Sequence, residues 1–232
     1  MADTKDNTAY DAKSTLSSST QETAETLIPA SEGMIKYNMY YTFSRLNVTL
    51  HQGDSSTPAT YYLESDCGLT KYLLYLRRGN AKTSPMIAFA KMPLTSRHIQ
   101  LGKGDYHQQK ADDQIRWEEL HRAENCFRRS DYRFSTEELG KPEEFDWRKD
   151  RGKVAATVYD CADRSGRTVA RLLSGGALNW KKGGEIEVLE GLDERLRERV
   201  LVSGLAIWFQ EALSYQSWLK GYSSSGEAAE KV

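Results

Sequence analysis

Cysteine is scarce in this chain, and its few cysteines follow no metal-binding or disulfide-forming pattern. The three, Cys67, Cys126 and Cys161, are scattered, and no Cys-x-x-Cys pair occurs. An odd, dispersed set argues against both a disulfide framework and a zinc site. The four histidines are dispersed as well, without a His-x-x-x-His pair. We therefore expect no metal and no cofactor.

The chain also lacks an excess of charge, an apolar leader and a long apolar run. Its formal net charge of -1 provides no general attraction to nucleic acid, which we do not expect as a partner. The polar start, Met1 to Asp6, predicts no signal peptide and a cytoplasmic location, with the nucleus or a membrane surface as alternatives. No apolar run reaches the about 20 residues of a transmembrane helix.

Composition divides the sequence into one domain and two tails. Residues 1–33 are rich in Ser, Thr and charged side chains, which predicts a disordered tail because little apolar surface is available for burial. Residues 221–232 have the same character. Residues 34–220 form the predicted domain, within a chain that is 39% hydrophobic.

Short β segments separated by turn residues fill most of this domain. Alternation of apolar and charged residues is clearest in 145–149 and 185–189. Turn sequences such as Arg78-Gly79-Asn80 lie between the segments and predict antiparallel meanders. The candidate strands are residues 35–50, 61–64, 71–77, 86–91, 97–101, 114–120, 126–134, 145–149, 154–160, 167–173 and 185–189.

One helix is predicted at the end of the domain, from Asp193 as N-cap to about Tyr215. Its middle, residues 200–209, is apolar on every side, so it has to be surrounded by protein. Gly204 costs this helix roughly 1 kcal/mol relative to Ala, which predicts the close approach of a neighbouring strand. Together these patterns predict a closed antiparallel β-barrel of about 11–12 strands around a central hydrophobic helix.

Several motifs occur in an order that is typical of one superfamily. They are Asp131-Tyr-Arg-Phe134, then Phe145-Asp-Trp-Arg-Lys149, then the hairpin from Val158 to Ala170, and finally Gly191-Leu-Asp193 leading into residues 202–206. On these motifs, across about residues 61–218, the chain resembles the tubby C-terminal-like superfamily, which includes LURP-one-related and phospholipid-scramblase proteins. It looks most like the small fungal proteins with a tubby-like domain of unknown function. The resemblance implies a barrel around a central helix, and some relatives bind phosphoinositides.

Two sets of cations are candidates for binding an anionic group. The first contains Arg148, Lys149, Arg151 and Lys153, with Lys181 and Lys182 as neighbours, and suits an anionic lipid head group. A solvated hairpin edge is the alternative, and we favour it because acidic residues are interspersed. In the second set, Arg129 and Arg133 share one predicted strand face with Asp131, which suits anion recognition. We favour the alternative, a plain surface ion-pair row.

A possible acid/base group consists of Glu119 and His121, two residues apart on a predicted strand, with Tyr132 to orient a substrate oxygen. It defines our alternative hypothesis, an isomerase- or cyclase-type enzyme of fungal specialised metabolism. The nucleophile elbow, the dinucleotide fingerprint and the P-loop are all absent. We therefore favour a non-enzymatic binding module that recognises a protein partner or an anionic phospholipid head group.

Overall fold

The computed structural model describes residues 33–42, 47–96, 98–109, 115–124, 130–152, 157–174 and 181–227, with side chains placed up to residue 214. Residues 1–32 of the predicted N-terminal tail lie outside these ranges. The disorder of that tail therefore stays a prediction. Two predicted site residues, Arg129 and Lys153, also lie outside the described residues.

Twelve antiparallel strands form a closed barrel in which each strand pairs with its neighbours in sequence and β12 pairs with β1. This confirms the predicted fold class. The strands are β1 (Met34–Tyr41), β2 (Val48–His51), β3 (Ala59–Cys67), β4 (Lys71–Arg78), β5 (Met86–Pro93), β6 (Ile99–Lys103), β7 (Glu118–Arg122), β8 (Tyr132–Thr136), β9 (Glu143–Asp150), β10 (Thr157–Asp163), β11 (Thr168–Ser174) and β12 (Lys182–Leu189).

The barrel has one strand more than the candidate list because residues 35–50 do not form a single strand. The chain turns back after β1, and β2 pairs with it so that Tyr41 lies opposite Val48. A continuous strand of that length would have extended far beyond its neighbours. The polar residues between the two strands, Thr42 and Asn47, instead join their backbones through a hydrogen bond of 2.9 Å.

The helix α1 (Glu194–Glu227) follows β12 and runs through the lumen. We call the end of the barrel where α1 begins the helix-start mouth and the opposite end the helix-exit mouth. Asp193 caps α1, because its Oδ1 accepts the Arg195 amide at 2.9 Å. Every residue from 200 to 209 is buried, as the all-apolar pattern predicts.

The C-terminal end of α1 differs from the prediction. The helix continues past Tyr215 to Glu227, so residues 221–227, which were predicted to be disordered, are helical. Residues 216–227 contain no proline, the residue that most strongly terminates a helix. The last five positions, 228–232, lie outside the described residues.

Gly204 lies in tight contact with side chains of the barrel wall, as its position predicts. A methyl group at Gly204 would lie 2.8 Å from Cδ1 of Ile186 and 2.9 Å from the Trp147 ring. Next to it, Trp147 Nε1 donates a hydrogen bond of 2.9 Å to the hydroxyl of Ser203. The Trp147 indole is therefore held against the backbone of α1. The absence of a side chain at residue 204 makes room for this ring.

We expect Gly204→Ala to lower the free energy of unfolding by about 1–3 kcal/mol, because the added methyl group overpacks the contact with Trp147. In an open helix the same change would be stabilising by roughly 1 kcal/mol, so the sign of the effect is diagnostic. Urea unfolding measures it. Gly191→Ala is the control, because a methyl group at Gly191 would meet no atom within 4 Å. A neutral or stabilising result at residue 204 would contradict the close packing.

A buried cluster of charged side chains contacts α1 at the helix-start mouth. Arg199 is only 4% exposed, and its Nε lies 2.9 Å from Glu138 and 3.4 Å from Glu118. Its guanidinium also donates to the carbonyl of Gly102 at 2.8 Å, and Lys103 pairs with Glu138. Burial raises the pKa of Glu138, but the hydrogen bond from Lys103 and the charge of Arg199 outweigh burial and hold that pKa below its usual value.

Arg199→Met should lower the free energy of unfolding by about 3–5 kcal/mol near neutral pH, because Glu118 and Glu138 would lose their buried cation. The depressed pKa of Glu138 contributes stability above its ordinary value of 4.5, and that contribution is lost as the pH falls. The difference between variant and wild type should therefore shrink in acid. Urea unfolding at several pH values measures this.

The matched control is Arg116→Met at the same mouth. The Arg116 side chain is 76% exposed and pairs with Glu137, so water screens the pair and its loss should have little effect on the free energy of unfolding. Equal effects of the two substitutions, or a pH-independent effect of Arg199→Met, would contradict the role of the buried cluster.

Candidate functional site

The three predicted acid/base residues lie on two different faces of the barrel wall. Glu119 and His121 point outward from β7, with 3.4 Å between Oε2 and Nε2, and their side chains are 49% and 55% exposed. Tyr132 is 2% exposed, faces the lumen and donates a hydrogen bond of 3.0 Å to Gln210 of α1. Strand alternation explains the separation, because Arg133 and not Tyr132 lies opposite His121 in the register.

Of the predicted row of Arg129, Asp131 and Arg133, Arg129 lies outside the described residues, and Asp131 precedes β8, which begins at Tyr132. Arg133 pairs with Asp146 of β9 at 2.6 Å. Burial raises the pKa of Asp146, but the hydrogen bond and charge of Arg133 outweigh it and lower that pKa overall. Asp131 instead accepts the backbone amide of Lys149 at 3.1 Å. Arg133 thus belongs to a surface ion pair.

The predicted basic set does not form one face either. Arg148 points outward and pairs with Asp146 at 3.3 Å, whereas Lys149 points into the barrel, as the period of two in β9 requires. Arg151 lies 3.9 Å from Asp131. Lys182 pairs with Glu185 on β12, which β10 and β11 separate from β9.

These cations nevertheless share one end of the barrel. Lys149 and Arg151 lie at the end of β9, and Lys181 and Lys182 lie at the start of β12, all at the helix-exit mouth. Each carboxylate partner described above lowers the positive potential that the predicted patch would have provided. The grouping at one mouth was predicted only loosely, because strand order rather than sequence distance determines it.

Inside the helix-exit mouth, polar side chains of the barrel wall contact the last turn of α1 that lies within the barrel. Tyr159 donates a hydrogen bond of 3.1 Å to Oε1 of Glu211, and Lys149 Nζ lies 3.3 Å from Oε2. The Arg122 guanidinium lies over the Tyr132 ring, 5.7 Å from its centroid. We call these five residues, Arg122, Tyr132, Lys149, Tyr159 and Glu211, the Glu211 cluster.

Both phenols of the Glu211 cluster stay protonated at neutral pH. Burial raises the pKa of Tyr132 to about 12. Burial and then the charge of Glu211 raise the pKa of Tyr159 still further. Each phenol is therefore a hydrogen-bond donor and not a base. Neither Tyr159 nor Glu211 is among the site residues predicted from the sequence, although Tyr159 lies directly opposite the predicted Lys149 in the register of β9 and β10.

Two exposed leucines, neither of them predicted from the sequence, also lie at the helix-exit mouth. Leu69 is 98% exposed in the turn between β3 and β4, and Leu94 is 53% exposed just after β5. The amide of Leu94 donates a hydrogen bond of 3.1 Å to the carbonyl of Thr70, which joins the two turns. This mouth therefore combines cations with exposed apolar side chains.

Among the described residues, the surface depressions beside His121 divide the predicted acid/base group between them. His121 lines two of them on the outer face of β7–β9. One, of about 260 Å³, includes Tyr132 in its lining but not Glu119, and the other, of about 420 Å³, includes Glu119 but not Tyr132. A third cavity of about 420 Å³ lies beside Arg199 at the helix-start mouth.

Within the described residues, no three potential metal ligands come together. Within the same residues, no helix combines the length and the apolar character needed to cross a membrane. No family model, no curated protein and no solved structure matches the chain.

The assignment of Tyr132 and Glu119 to opposite faces predicts different effects of conservative substitutions. Tyr132→Phe should lower the free energy of unfolding by about 1 kcal/mol, because Gln210 loses a buried hydrogen-bond donor. Glu119→Gln should change it by less than about 0.5 kcal/mol, because its side chain is half exposed. Urea unfolding of both variants measures the difference, and equal effects would contradict the assignment.

Proposed function

We propose that this protein is a non-enzymatic binding module of tubby-like fold that recognises a protein partner or an anionic phospholipid head group. The observation that carries the proposal is the filled lumen, in which residues 200–209 of α1 are buried on all sides. A barrel of this kind has little room for a small ligand inside, unlike a carrier barrel with an open cavity. A ligand therefore has to bind on the outer surface or at a mouth.

The helix-exit mouth is the part of the surface with the most support as the binding region. Lys149, Arg151, Lys181 and Lys182 lie there, and these cations attract an anionic surface. Leu69 and Leu94 add apolar contact at the same end, which suits a protein partner or the interface of a bilayer. The helix-start mouth also has exposed side chains, Leu139 and the cations Lys82 and Lys141, which pair with Glu64 and Glu143.

The isomerase- or cyclase-type alternative has less support. Its acid/base pair, Glu119 and His121, is about half exposed to solvent, and Tyr132 faces the lumen on the other side of the wall. A general acid or base needs to be within hydrogen-bond reach of a bound substrate, ideally in a site that excludes water.

Co-sedimentation with vesicles tests the lipid version of the proposal. We expect the protein to bind vesicles that contain phosphatidylserine or phosphoinositides, and to bind less as salt rises, because screening weakens the attraction. The double substitution Lys181→Glu with Lys182→Glu should lower the bound fraction several-fold, because each cation near an anionic surface contributes about 1 kcal/mol.

The matched control is Lys82→Glu with Lys141→Glu, which reverses two exposed cations at the opposite mouth. If this control lowers binding as much as the helix-exit pair, net charge and not the mouth is responsible. Failure of the wild type to bind any anionic vesicle would eliminate the lipid head group and leave the protein partner.

A further inference from the structure

The cavity beside Arg199 lies where two strands of the barrel wall stop pairing. β6 runs to Lys103, but its pairing with β7 ends where Leu101 lies opposite Glu118. The wall therefore leaves a gap towards the helix-start mouth, and a cavity of about 420 Å³ lies there. Sites for small molecules have volumes of about 300–1,000 Å³, so this cavity is large enough for one. We call it the Arg199 cavity.

The charges of the described side chains that line the Arg199 cavity balance. Three of them are cations, three are carboxylates, and Gln109 is the neutral member among them. A ligand that carries one sign of charge is therefore not attracted overall, whereas a ligand with both signs finds a partner for each. The charged members are Lys103, Arg116, Arg199, Glu118, Glu137 and Glu138.

Arg199 and Lys103 provide the donors of the cavity. The buried Arg199 guanidinium is fixed by Glu138, 2.9 Å from Nε, and by the carbonyl of Gly102, 2.8 Å from Nη1. Within the part of the chain that the structure describes, Nη2 donates to no acceptor. Lys103 uses one N–H for Glu138 and has further N–H donors. Two cationic donors with unused capacity suit a carboxylate group.

Glu137 and Gln109 provide the acceptors. Glu137 is about half exposed, and its Oε2 pairs with Arg116. The Nε2 group of Gln109 donates to the carbonyl of Lys103 at 2.9 Å, so its amide oxygen is the other polar atom that can act. Among the described residues, neither this oxygen nor Oε1 of Glu137 accepts a hydrogen bond. These two oxygens suit an ammonium group, which is a donor only.

We propose that the Arg199 cavity binds a small zwitterion of the α-amino acid class, with the ligand carboxylate on Arg199 and Lys103 and the ligand ammonium group on Glu137 and Gln109. The site goes beyond the proposed function, because it lies at the mouth opposite the helix-exit cations. Arg199 is held in place before the ligand arrives, so binding requires little reordering of the buried donor.

Calorimetric titration of the wild-type protein with each of the free L-amino acids tests the proposal. The tightest binder is then compared with two analogues that each lack one main-chain charge. The N-acetyl derivative lacks the ammonium group, and the decarboxylated amine lacks the carboxylate. We expect each analogue to bind at least about tenfold more weakly, because one set of charge-assisted hydrogen bonds is lost.

Lys103→Gln and Glu137→Gln should each weaken amino-acid binding about tenfold, since each replaces a charged partner by a neutral one. Their side chains are 56% and 50% exposed, so the fold tolerates both changes. The matched controls are Lys141→Gln and Glu194→Gln, which remove exposed charges at the same mouth outside the lining of the cavity. Thermal unfolding checks that every variant is folded.

The proposal is overturned if no free amino acid binds the wild type, or if either analogue binds as tightly as its parent amino acid. Controls that weaken binding as much as Lys103→Gln and Glu137→Gln also overturn it. These outcomes are independent of vesicle co-sedimentation, which depends on the cations of the helix-exit mouth. The proposed function and the amino-acid site can therefore fail separately.

Discussion

The whole structure depends on one constraint, which is that the middle of α1 has no polar face. Residues 200–209 are buried on every side, and only a closed wall satisfies that requirement for a single helix. The antiparallel strands form such a wall and leave no unpaired edge. The contact of Gly204 with Trp147 and Ile186 determines how closely helix and wall approach, since a methyl group there would overlap both.

Because the middle of the lumen is largely apolar, the ion pairs of α1 described above lie towards its two ends, while its middle has neutral hydrogen bonds such as that of Trp147 to Ser203. Arg199 meets Glu118 and Glu138 at the helix-start mouth, and Glu211 meets Lys149 and Tyr159 at the helix-exit mouth. These polar groups fix the position of the helix along the barrel axis, which apolar packing alone specifies weakly. The charged side chains that contact α1 therefore lie at the mouths of the barrel and not in the centre of the lumen.

The sequence was sufficient to predict the architecture, because periodicity is local and burial follows from it. The all-apolar segment, the Asp193 cap and the tight contact at Gly204 were all readable from local pattern. The arrangement of the candidate site could not be predicted, because it depends on the strand register and on the rotation of α1 about its axis. Alternation alone separates Arg148 from Lys149, but only the assembled barrel places Glu211 beside Lys149 and Tyr159. Long-range pairing of this kind leaves no signal in a single sequence.

The two mouths differ in how strongly their polar side chains hold the helix. Arg199 is 4% exposed and its carboxylate partners are nearly buried, so breaking that cluster leaves charges without water or partners. The Lys149–Glu211 pair is about a quarter exposed, so water can replace either partner at small cost. The polar contacts at the helix-exit end of α1 are therefore the ones that break at lower cost, while the buried Arg199 cluster keeps the opposite end of the helix in place.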